Sequence, residues 1–371
     1  MSARKQVAGS PVRGRIVMAV LHQEVRSPLP KIAPLLIGAL EKSGWAVVTT
    51  FWGGRGPKEG WTTKILSRSR DLVLALATLA VHKDAVLFVN SSHSPRAIVR
   101  DVPLVLGAKA LGRASLVLWH GSRSALVAGR PHALFTVGTG LLCRSADAVL
   151  VLSSAELEAC QRIFPRGRYV LVANPYESKM PAPDWTSETC SILFVGRLMQ
   201  EKGIYELLDA FAGLRTAQDW RLILVGDGPE GSAVADWIAA HGLSTRVEMP
   251  GYLDEPALRR QYMDASIFVL PSYSEGFPTA ISEAMDAGLP VVTTRCGGMA
   301  DHLDEGVNCL FVKARDAGDL ERVLARLVDD PELRKSMGNA NRRKVQGFAP
   351  DVVVGPYLRA LEAARARKES E

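Results

Sequence analysis

The sequence predicts an α/β protein of two doubly wound domains, each built on a parallel β-sheet. Short apolar runs of roughly four to eight residues, typical of buried parallel strands, alternate with helical patterns along the chain. A stretch without periodicity, residues 176–189, contains two prolines and divides the chain as a linker. With 371 residues, the chain is long enough for two cores of ordinary size.

The composition is that of a soluble globular protein, with 47% hydrophobic and 23% charged residues. The polar, basic first residues predict no signal peptide, and the longest apolar run, residues 72–81, is too short to span a bilayer. Five cysteines lie scattered without CxxC spacing, which favours reduced thiols over a disulfide framework or a zinc site. We therefore expect a cytoplasmic protein.

Charge is divided unevenly between the two halves of the chain. Residues 1–180 hold 24 Lys and Arg against 10 Asp and Glu, a net +14, whereas the remainder holds 21 against 29, a net −8. A basic first half indicates an anionic partner, such as the lipid at the inner face of a membrane or a phosphorylated acceptor. Nucleic acid is the least favoured partner, because no aromatic residues interleave with the charges. The alternative is a solvated basic surface.

Residues 1–180 are predicted to form the first domain. Helices are expected at 30–43, 62–82 and 154–163, with a further loop and helix between 125 and 144. Strands are expected at 15–21, 45–51, 83–90, 114–122 with its edge loop, 146–153 and 168–175.

The predicted helix 62–82 carries Lys64, Arg68 and Arg70 at its front and Leu, Val and Ala behind them. This pattern favours a core helix with a basic first turn. The alternative is an amphipathic helix that lies on a membrane surface.

Three residues follow the buried strand 83–90 at the carboxyl edge of the first sheet: His93, Arg96 and Arg100. Ligands of open α/β sheets bind outside this edge, so we expect these residues near the acceptor side. The hypothesis is that Arg96 or Arg100 meets an anionic acceptor group, such as a lipid-linked phosphate. The alternative is that both are surface arginines.

Residues 181–349 are predicted to form the second domain. Its strands are expected within 191–196, 221–230, 246–251, 266–272, 290–294 and 308–312, and its last two helices at 317–328 and 331–346. A further terminal helix is expected within 347–367, and only the last few residues are expected to be disordered.

The stretch from Ser274 to Thr294 is the most informative part of the second domain. It reads as strand, loop, helix and strand, with Glu275 in the loop and Glu283 inside the helix. A helix start at a sheet's carboxyl edge suits a phosphate, and a neighbouring carboxylate can accept hydrogen bonds from sugar or ribose hydroxyls. The alternative is that Glu275 is a turn residue and Glu283 belongs to a solvated helix face.

The stretch EGFPTAISEAMDAGLPVV resembles the E-x7-E signature of the family-4 retaining glycosyltransferases. Four other stretches occur in that family's order and spacing: WHGS (119–122), VANP (172–175), FVGRLMQEKG (194–203) and VGDGPE (225–230). The resemblance implies the GT-B fold, in which two Rossmann-like domains face a cleft. It also implies that a C-terminal helix, within residues 350–371, crosses back and packs on the first domain.

The resemblance implies that four residues take part in the reaction: His120, Arg197, Lys202 and Glu275. In the family, the Arg and Lys grip the donor diphosphate, whose growing negative charge needs stabilising as the glycosidic bond breaks. No DxD motif lies on a strand edge to hold a divalent ion, so these two cations are expected to act in place of a metal. His120 is expected near the reacting carbon of the donor sugar, and Glu275 at the sugar hydroxyls.

The residues that the resemblance implies for donor binding are Asn174, Gly196, Asp227, Gly228, Tyr252, Leu253, Gly276, Phe277, Thr279 and Glu283. Glu283 is expected to bind the ribose hydroxyls, and the loop around Tyr252 and Leu253 to border the base. Asn174, at the domain junction, is expected to make a structural or sugar-proximal hydrogen bond.

Two positions depart from the family's pattern. The sequence GGMAD places Asp301 where the family usually has Glu, one methylene longer. The first loop carries Pro28 and Pro30 where the family often has glycines, and proline has no N–H to offer a phosphate. Asp301 is therefore expected either to orient a helix end or to touch the nucleotide.

The sequence thus predicts a retaining, metal-independent transferase that moves a hexose-type sugar from a UDP- or GDP-linked donor. The acceptor is expected to be a glycan or glycolipid of the cell envelope, with the basic first domain at a membrane surface. Two alternatives remain, a GT-B-fold nucleotide-sugar isomerase and a non-catalytic nucleotide-binding relative. The sequence predicts no oligomeric state.

Overall fold

Two units make up the chain in this computed structural model, and each has its own sheet. The structure describes residues 13–21, 29–53, 61–121, 133–181, 183, 190–215 and 219–370. The first unit comprises Met1–Val151, Glu156–Pro175 and Pro350–Glu371, and the second comprises Leu152–Ala155 and Tyr176–Ala349. Every strand pair among the described residues is parallel, so the predicted fold class is confirmed.

The sheet of the first unit has the strand order β2-β1-β3-β4-β5-β6. Its strands are β1 (Gly14–Val20), β2 (Trp45–Phe51), β3 (Ala85–Ser91), β4 (Ser115–Trp119), β5 (Ala148–Val151) and β6 (Tyr169–Leu171). The helices of this part of the chain are α1 (Leu29–Lys42), α2 (Trp61–Val81), α3 (Pro95–Ala110), α4 (Ala133–Ser145) and α5 (Ser154–Ile163).

The sheet of the second unit has the order β12-β11-β10-β7-β8-β9. Its strands are β7 (Ser191–Val195), β8 (Arg221–Val225), β9 (Val247–Gly251), β10 (Ile267–Leu270), β11 (Val291–Thr294) and β12 (Cys309–Val312). Its helices are α6 (Ile204–Gly213), α7 (Gly231–Ala240), α8 (Glu255–Asp264), α9 (Thr279–Ala287), α10 (Met299–His302), α11 (Ala317–Asp329) and α12 (Pro331–Val345). Two 3₁₀ turns span Gln200–Lys202 and Gln346–Phe348.

A terminal helix, α13 (Pro350–Ser370), returns the chain to the first unit. The Tyr357 hydroxyl donates to the carbonyl of Ala173 at 3.0 Å, and Arg367 Nη2 donates to the carbonyl of Asp147 at 3.0 Å. The helix continues through Pro356 to Ser370, so the expectation of a disordered tail was wrong. An ion pair between Arg365 and Glu369, 2.8 Å from Nε to Oε1, joins its last turns.

Successive residues of a strand point to opposite faces of the sheet, and in the first unit helices pack on both faces. Leu87 and Val89 of β3 join a core shared with α2, α3 and α4. Phe88, between them, packs against Tyr357 of α13 with ring centroids 6.4 Å apart. All seven residues of β3 are buried, which explains its continuous apolar sequence.

Each sheet has one point at which its strand order reverses. In the second unit, β7 lies between β8 and β10, so the reversal falls between β7 and β10. In the first unit it falls between β1 and β3. Open α/β sheets bind their ligands outside the carboxyl ends of the strands at such a switch point. We therefore expect functional side chains at the two switch points.

Candidate functional site

Two predicted catalytic residues, Lys202 and Glu275, meet at the switch point of the second unit. Lys202 ends the 3₁₀ turn that follows β7, and Glu275 lies in the loop after β10. The Lys202 ammonium forms an ion pair with Glu275 Oε1, and their side chains are 23% and 12% exposed. The two residues are 73 positions apart in the sequence. The sheet topology therefore creates this pair.

The Glu275 carboxylate is held by a second donor as well. Ser272 Oγ, at the end of β10, donates to Glu275 Oε1 at 2.8 Å. Within the described residues, both donors engage Oε1 and leave Oε2 to accept a hydrogen bond from a ligand. A carboxylate fixed in this way is suited to binding hydroxyl groups.

Helix α9 begins four residues after Glu275 and presents its N-terminus at the same sheet edge. Pro278 precedes its first residue, Thr279, and no described side chain caps the first turn. Free N–H groups and the positive end of the helix dipole suit an anionic group. Gly288 ends the helix with φ of +80°, a left-handed conformation that glycine adopts without strain.

Glu283 projects from the middle of α9 and is held by a buried phenol. Tyr262, on α8, donates from its hydroxyl to Glu283 Oε2 at 2.9 Å, and it is 1% exposed. Burial, and then the nearby Glu283 carboxylate, raise the pKa of Tyr262 well above its usual value. The phenol therefore stays protonated and remains a hydrogen-bond donor. Its contact fixes the rotamer of Glu283.

The turns after β7 and β8 interlock through glycine. The backbone N–H of Leu198 donates to the Asp227 carbonyl at 3.1 Å, and the N–H of Glu230 donates to the Leu198 carbonyl at 3.1 Å. A Cβ atom at Gly228 would lie 2.1 Å from the Leu198 carbonyl oxygen, so glycine is required there. The two predicted motifs, around Gly196 and around Gly228, thus form one backbone platform. Arg197, on this platform, is exposed.

The remaining predicted donor residues differ in environment. Tyr252, after β9, is 56% exposed and Leu253 beside it is half-buried, so the loop is open to a ligand. Phe277 is buried, with its ring 4.9 Å from His302 and 5.1 Å from Phe348 between centroids. The Phe277 side chain therefore belongs to a packed aromatic cluster, and a ligand would meet its backbone.

Asp301 contacts backbone within its own unit. Its Oδ2 atom accepts a hydrogen bond from the N–H of Ser154 at 2.6 Å. The preceding glycine turn packs on the Glu275 loop, where the Gly298 N–H donates to the Gly276 carbonyl at 2.6 Å. Of the two expectations for Asp301, this contact favours orientation of a helix end, because Ser154 is the first residue of α5. Of the two prolines in the first loop, Pro28 lies outside the described residues.

In the first unit, His120 follows β4 and is neutral. Its Nε2 atom lies 3.0 Å from Asn90 Oδ1, and Asn90 Nδ2 donates to the Ala19 carbonyl at 3.0 Å. Asn90 therefore presents its oxygen, and His120 Nε2 carries the proton. Burial lowers the pKa of His120 to about 3. Nδ1, the acceptor atom of this neutral ring, is buried without a hydrogen-bond partner among the described residues.

His93, predicted near the acceptor, is enclosed by aromatic side chains. It is 0% exposed, stacks on Trp119 with ring centroids 3.7 Å apart, and lies 3.4 Å from Thr139 Oγ1. Its φ of +43° is rare for a residue with a side chain, and burial lowers its pKa to about 3. The side chain is therefore a packed, neutral part of the first switch point.

The two candidate arginines also differ. Arg96 is exposed on the first turn of α3, whereas Arg100 is anchored. Arg100 Nε donates to Asp101 Oδ1 at 2.6 Å, and the same oxygen accepts from Trp52 Nε1 at 2.7 Å. The Arg100 side chain is 17% exposed and Asp101 is fully buried. Arg100 is therefore a fixed cation close to the ends of β2 and β3.

Sequence reasoning missed residues that position the site. Asp286, three residues after Glu283, is buried and accepts from the Tyr176 hydroxyl at 3.0 Å and from the backbone N–H groups of Lys179 and Met180 at 2.8 and 2.9 Å. The chain segment predicted as a linker is thereby fastened to α9. The sequence shows that Asp286 is an acidic residue on an otherwise apolar helix face, but it does not show which groups would contact it. Asn174, just before this segment, is also buried.

None of the helices among the described residues combines the length and the apolar character that crossing a membrane requires. These residues also contain no group of three His, Cys, Asp or Glu side chains arranged to hold a metal ion.

Comparison with known proteins agrees with this geometry. Residues 177–344, which include Lys202, Glu275 and Glu283, match the family model described as glycosyl transferases group 1. A D-inositol 3-phosphate glycosyltransferase of Arthrobacter sp. (strain FB24) is 35% identical over 178 residues. This match covers 47% of the chain and 42% of that relative's own length, so the chain matches less than half of the relative.

Solved structures extend the likeness to the whole fold. Sucrose-phosphate synthase from Thermosynechococcus elongatus superposes with a TM-score of 0.76 at 22% identity, over 95% of this chain and 100% of that chain. The Anabaena protein Alr3699/HepE, in complex with UDP and glucose, superposes with a TM-score of 0.74 at 17% identity, over 95% and 100%. At these identities the likeness shows the fold alone. The two-sheet architecture and these solved structures show a two-domain GT-B fold, and the match to the glycosyl transferases group 1 model lies within its second unit.

Proposed function

We propose that the protein is a retaining glycosyltransferase that moves a hexose-type sugar from a nucleotide-diphospho-sugar to an acceptor hydroxyl. The observation that carries the proposal is the pairing of Lys202 with Glu275 at the β7–β10 switch point, beside the uncapped start of α9. A cation and a helix N-terminus suit a diphosphate, and a fixed carboxylate suits sugar hydroxyls. One site thus offers complementary groups for both parts of a nucleotide sugar.

The donor is proposed to lie along the carboxyl edge of the second sheet. Arg197, Lys202 and the N–H groups at the start of α9 would bind the diphosphate, and Glu283 would bind the ribose hydroxyls. The exposed loop around Tyr252 would border the base. UDP is the favoured nucleotide, because the structural relative Alr3699/HepE is described in complex with UDP and glucose.

In the proposed reaction, the bond between the anomeric carbon and the diphosphate oxygen breaks while a bond to the acceptor oxygen forms on the same face. The proton of the acceptor hydroxyl passes to the departing phosphate. Lys202 stabilises the negative charge that grows on the leaving group. Glu275 Oε2 would accept hydrogen bonds from sugar hydroxyls and orient the ring. By the resemblance, His120 would act near the reacting carbon of the donor sugar. The resemblance to the E-x7-E family supports retention, and the two cations are proposed to make a metal unnecessary.

The acceptor is proposed to carry an anionic group, as in a lipid-linked or cell-envelope glycan. Arg100 is the better candidate to bind it than Arg96, since Asp101 fixes the Nε side of Arg100 and leaves its Nη atoms to face a ligand. The Arthrobacter relative, whose name includes inositol 3-phosphate, supports an acceptor with a phosphate.

The test is a panel of UDP- and GDP-sugars, with thermal stabilisation and nucleotide release as readouts and Lys202→Ala as the site variant. A ligand at 100 times its dissociation constant should add about 2.7 kcal/mol to the free energy of unfolding. We expect one donor to stabilise the wild-type protein and not Lys202→Ala. Arg221→Ala is the matched control, because it removes an exposed cation that pairs with Glu248 in the same unit.

Further readouts separate the proposal from its rivals. Release of nucleoside diphosphate should need a glycan acceptor, survive a metal chelator, and give a product with the anomeric configuration of the donor. Conversion of the donor alone to another nucleotide sugar would identify an isomerase. Stabilisation by nucleotide without turnover on any acceptor would identify a binding protein. An inverted product would overturn the retaining mechanism.

A further inference from the structure

Helices α2, α3 and α4 form one layer of the first unit, and their outward side is apolar. α3 contacts both α2 and α4, and all three share one core with the sheet. Large exposed apolar side chains on this layer include Leu66 (71% exposed) and Val73 (64%) on α2, Val99 (77%) on α3, and Leu134 (87%) and Val137 (68%) on α4. We call this surface the α2–α4 face.

The exposed apolar residues recur at helical spacing. Leu134, Val137 and Leu141 follow one another at three and four residues along α4, and Val99 and Leu106 are seven apart on α3. Such spacing places them in one stripe on each helix. The opposite stripe of each helix is already buried in the core, so each of these two helices is apolar on two sides. A helix side that stays in water normally carries polar residues instead.

The charges on this face have one sign. Its exposed charged side chains in the described residues are Arg70, Arg96, Lys109 and Arg144. The three helices contain two acidic residues, Asp71 and Asp101, and both are buried. Lys64, a further basic residue of α2, lies outside the described side chains. The α2–α4 face therefore offers apolar side chains and cations together, without an exposed carboxylate.

The other side of the first unit is different. Helix α13 exposes Val352, but acidic and basic residues alternate around it, as in the pairs Arg13–Glu362 and Lys42–Asp351. A surface of mixed charge is typical of a helix that faces water. The concentration of apolar and basic groups is thus a property of one face.

We propose that the α2–α4 face docks on a bilayer surface that contains anionic lipid. Apolar side chains would enter the boundary between head groups and acyl chains, and the cations would meet the lipid phosphates. A second copy of the chain fits less well, since it would bring the same cations together. The inference extends the proposed function, because a lipid-linked acceptor would lie in the same membrane. It does not depend on catalysis.

The experiment is sedimentation of the full chain with vesicles, without donor or acceptor. One set of vesicles is phosphatidylcholine, and the other contains about 30 mol% phosphatidylglycerol. We expect binding to the anionic set and little to the neutral one. Val99→Glu and Val137→Glu should each lower the partition coefficient about tenfold or more, since a charge replaces an inserted apolar group. Arg144→Ala should lower it about fivefold.

Val352→Glu is the matched control, because it places the same charge on the opposite side of the same unit. It should bind vesicles as the wild-type protein does, and thermal unfolding should show that all variants fold. Absence of wild-type binding, equal binding to neutral vesicles, or an equal loss in Val352→Glu would overturn the proposal. So would a dimer in solution that Val99→Glu dissociates, since the face would then be a self-interface. A failure of glycosyl transfer would leave this result unchanged.

Discussion

The two sheets share an architecture but differ in what stands at the point where the strand order reverses. In the second unit, the switch point holds an ion pair, Lys202–Glu275, next to a helix N-terminus. In the first unit, the described residues beyond β3 and β4 include two buried, neutral histidines, His93 and His120. One switch point thus holds a cation paired with a carboxylate, and the other holds two uncharged histidines.

In the proposed reaction, this difference matches groups of different charge. A nucleoside diphosphate is strongly anionic and becomes more so as it departs, so its site needs cations. Sugar hydroxyls are neutral, and they need hydrogen-bond acceptors rather than cations. His120 keeps an acceptor nitrogen at neutral pH, because burial lowers its pKa to about 3. Variants at each of the two switch points test this contrast.

The largest expected effect is on the charged side. Lys202→Ala should lower both donor affinity and turnover, and Glu275→Ala should lower kcat about 10²- to 10³-fold with a smaller effect on donor affinity. In the proposed reaction, Lys202 would meet the diphosphate in the ground state as well as the transition state, whereas Glu275 would act on the sugar as its ring flattens. Titration calorimetry with nucleoside diphosphate and steady-state kinetics would separate these effects. Unchanged binding and unchanged turnover in either variant would contradict the assigned role.

The next effect concerns the acceptor and compares two arginines on one helix. Arg100→Ala should raise the acceptor KM about tenfold or more, because a hydrogen-bonded charge on the acceptor loses its partner. Arg96, four residues away, is an exposed cation, and Arg96→Ala is the matched control: with a water-soluble acceptor that carries the same anionic group, it should change the acceptor KM little. Donor KM should be unaffected in both. Equal acceptor KM values in the two variants would remove Arg100 from the acceptor site.

A smaller effect tests the support of Glu283. In Tyr262→Phe the ring stays packed, but the hydroxyl that donates to Glu283 is lost. Wild-type protein should prefer UDP to its 2′-deoxy analogue, and the variant should lose about threefold to tenfold of that preference. If the wild type shows no preference, Glu283 does not bind the ribose. If the preference survives in the variant, the phenol does not position Glu283.

Tyr205→Phe is the control for this experiment. It removes a similar bond, from a tyrosine hydroxyl to Glu230 Oε2 at 2.6 Å, in the same unit. Tyr205→Phe should keep the wild-type preference for UDP over its 2′-deoxy analogue, even if it lowers stability as much as Tyr262→Phe does.

The last effect is on stability rather than activity, and it concerns His93 in the first unit. His93 has a pKa of about 3 in the folded protein against 6.5 as its ordinary value, so below about pH 6.5 the unfolded chain binds a proton that the folded chain does not. The free energy of unfolding should therefore fall as the pH falls, by about 2 kcal/mol between pH 7 and pH 5 from this residue. Urea denaturation at both pH values would measure it.

In His93→Asn, which tolerates the same backbone conformation, this part of the pH dependence should disappear. His241→Asn, at an exposed histidine, should keep it. An unchanged pH dependence in His93→Asn would mean that the imidazole titrates normally in the folded protein.

Much of the fold could be predicted because its signals are local. The apolar runs that predicted strands at 45–51 and 308–312 fall within a residue of β2 and β12, and the predicted helix 154–163 coincides with α5. In each case a turn residue or a change in periodicity marks the boundary. The predicted helix 30–43 matches α1, and Gly44 follows its end with φ of +88°, a left-handed conformation that glycine adopts without strain.

The sequence could suggest residue types for the candidate site but not the contacts between them. Glu275 and Lys202 were expected to act on different parts of the donor, whereas the structure pairs them directly. Tyr262 is one aromatic residue among several in a short helix, and nothing local shows that its hydroxyl reaches Glu283. His93 looked like an edge residue, but the stacking partner Trp119 lies on another strand. Such contacts depend on which strands become neighbours.

The place of helix α13 has a consequence for how the protein is made. Residues 350–370 complete the layer against β3, so the first unit needs the last segment of the chain. During synthesis, domains generally fold as units in the order in which they emerge from the ribosome. Here the first unit emerges first, but part of its sheet stays uncovered until the second unit and then α13 have been translated. The order of synthesis and the order of completion are therefore reversed.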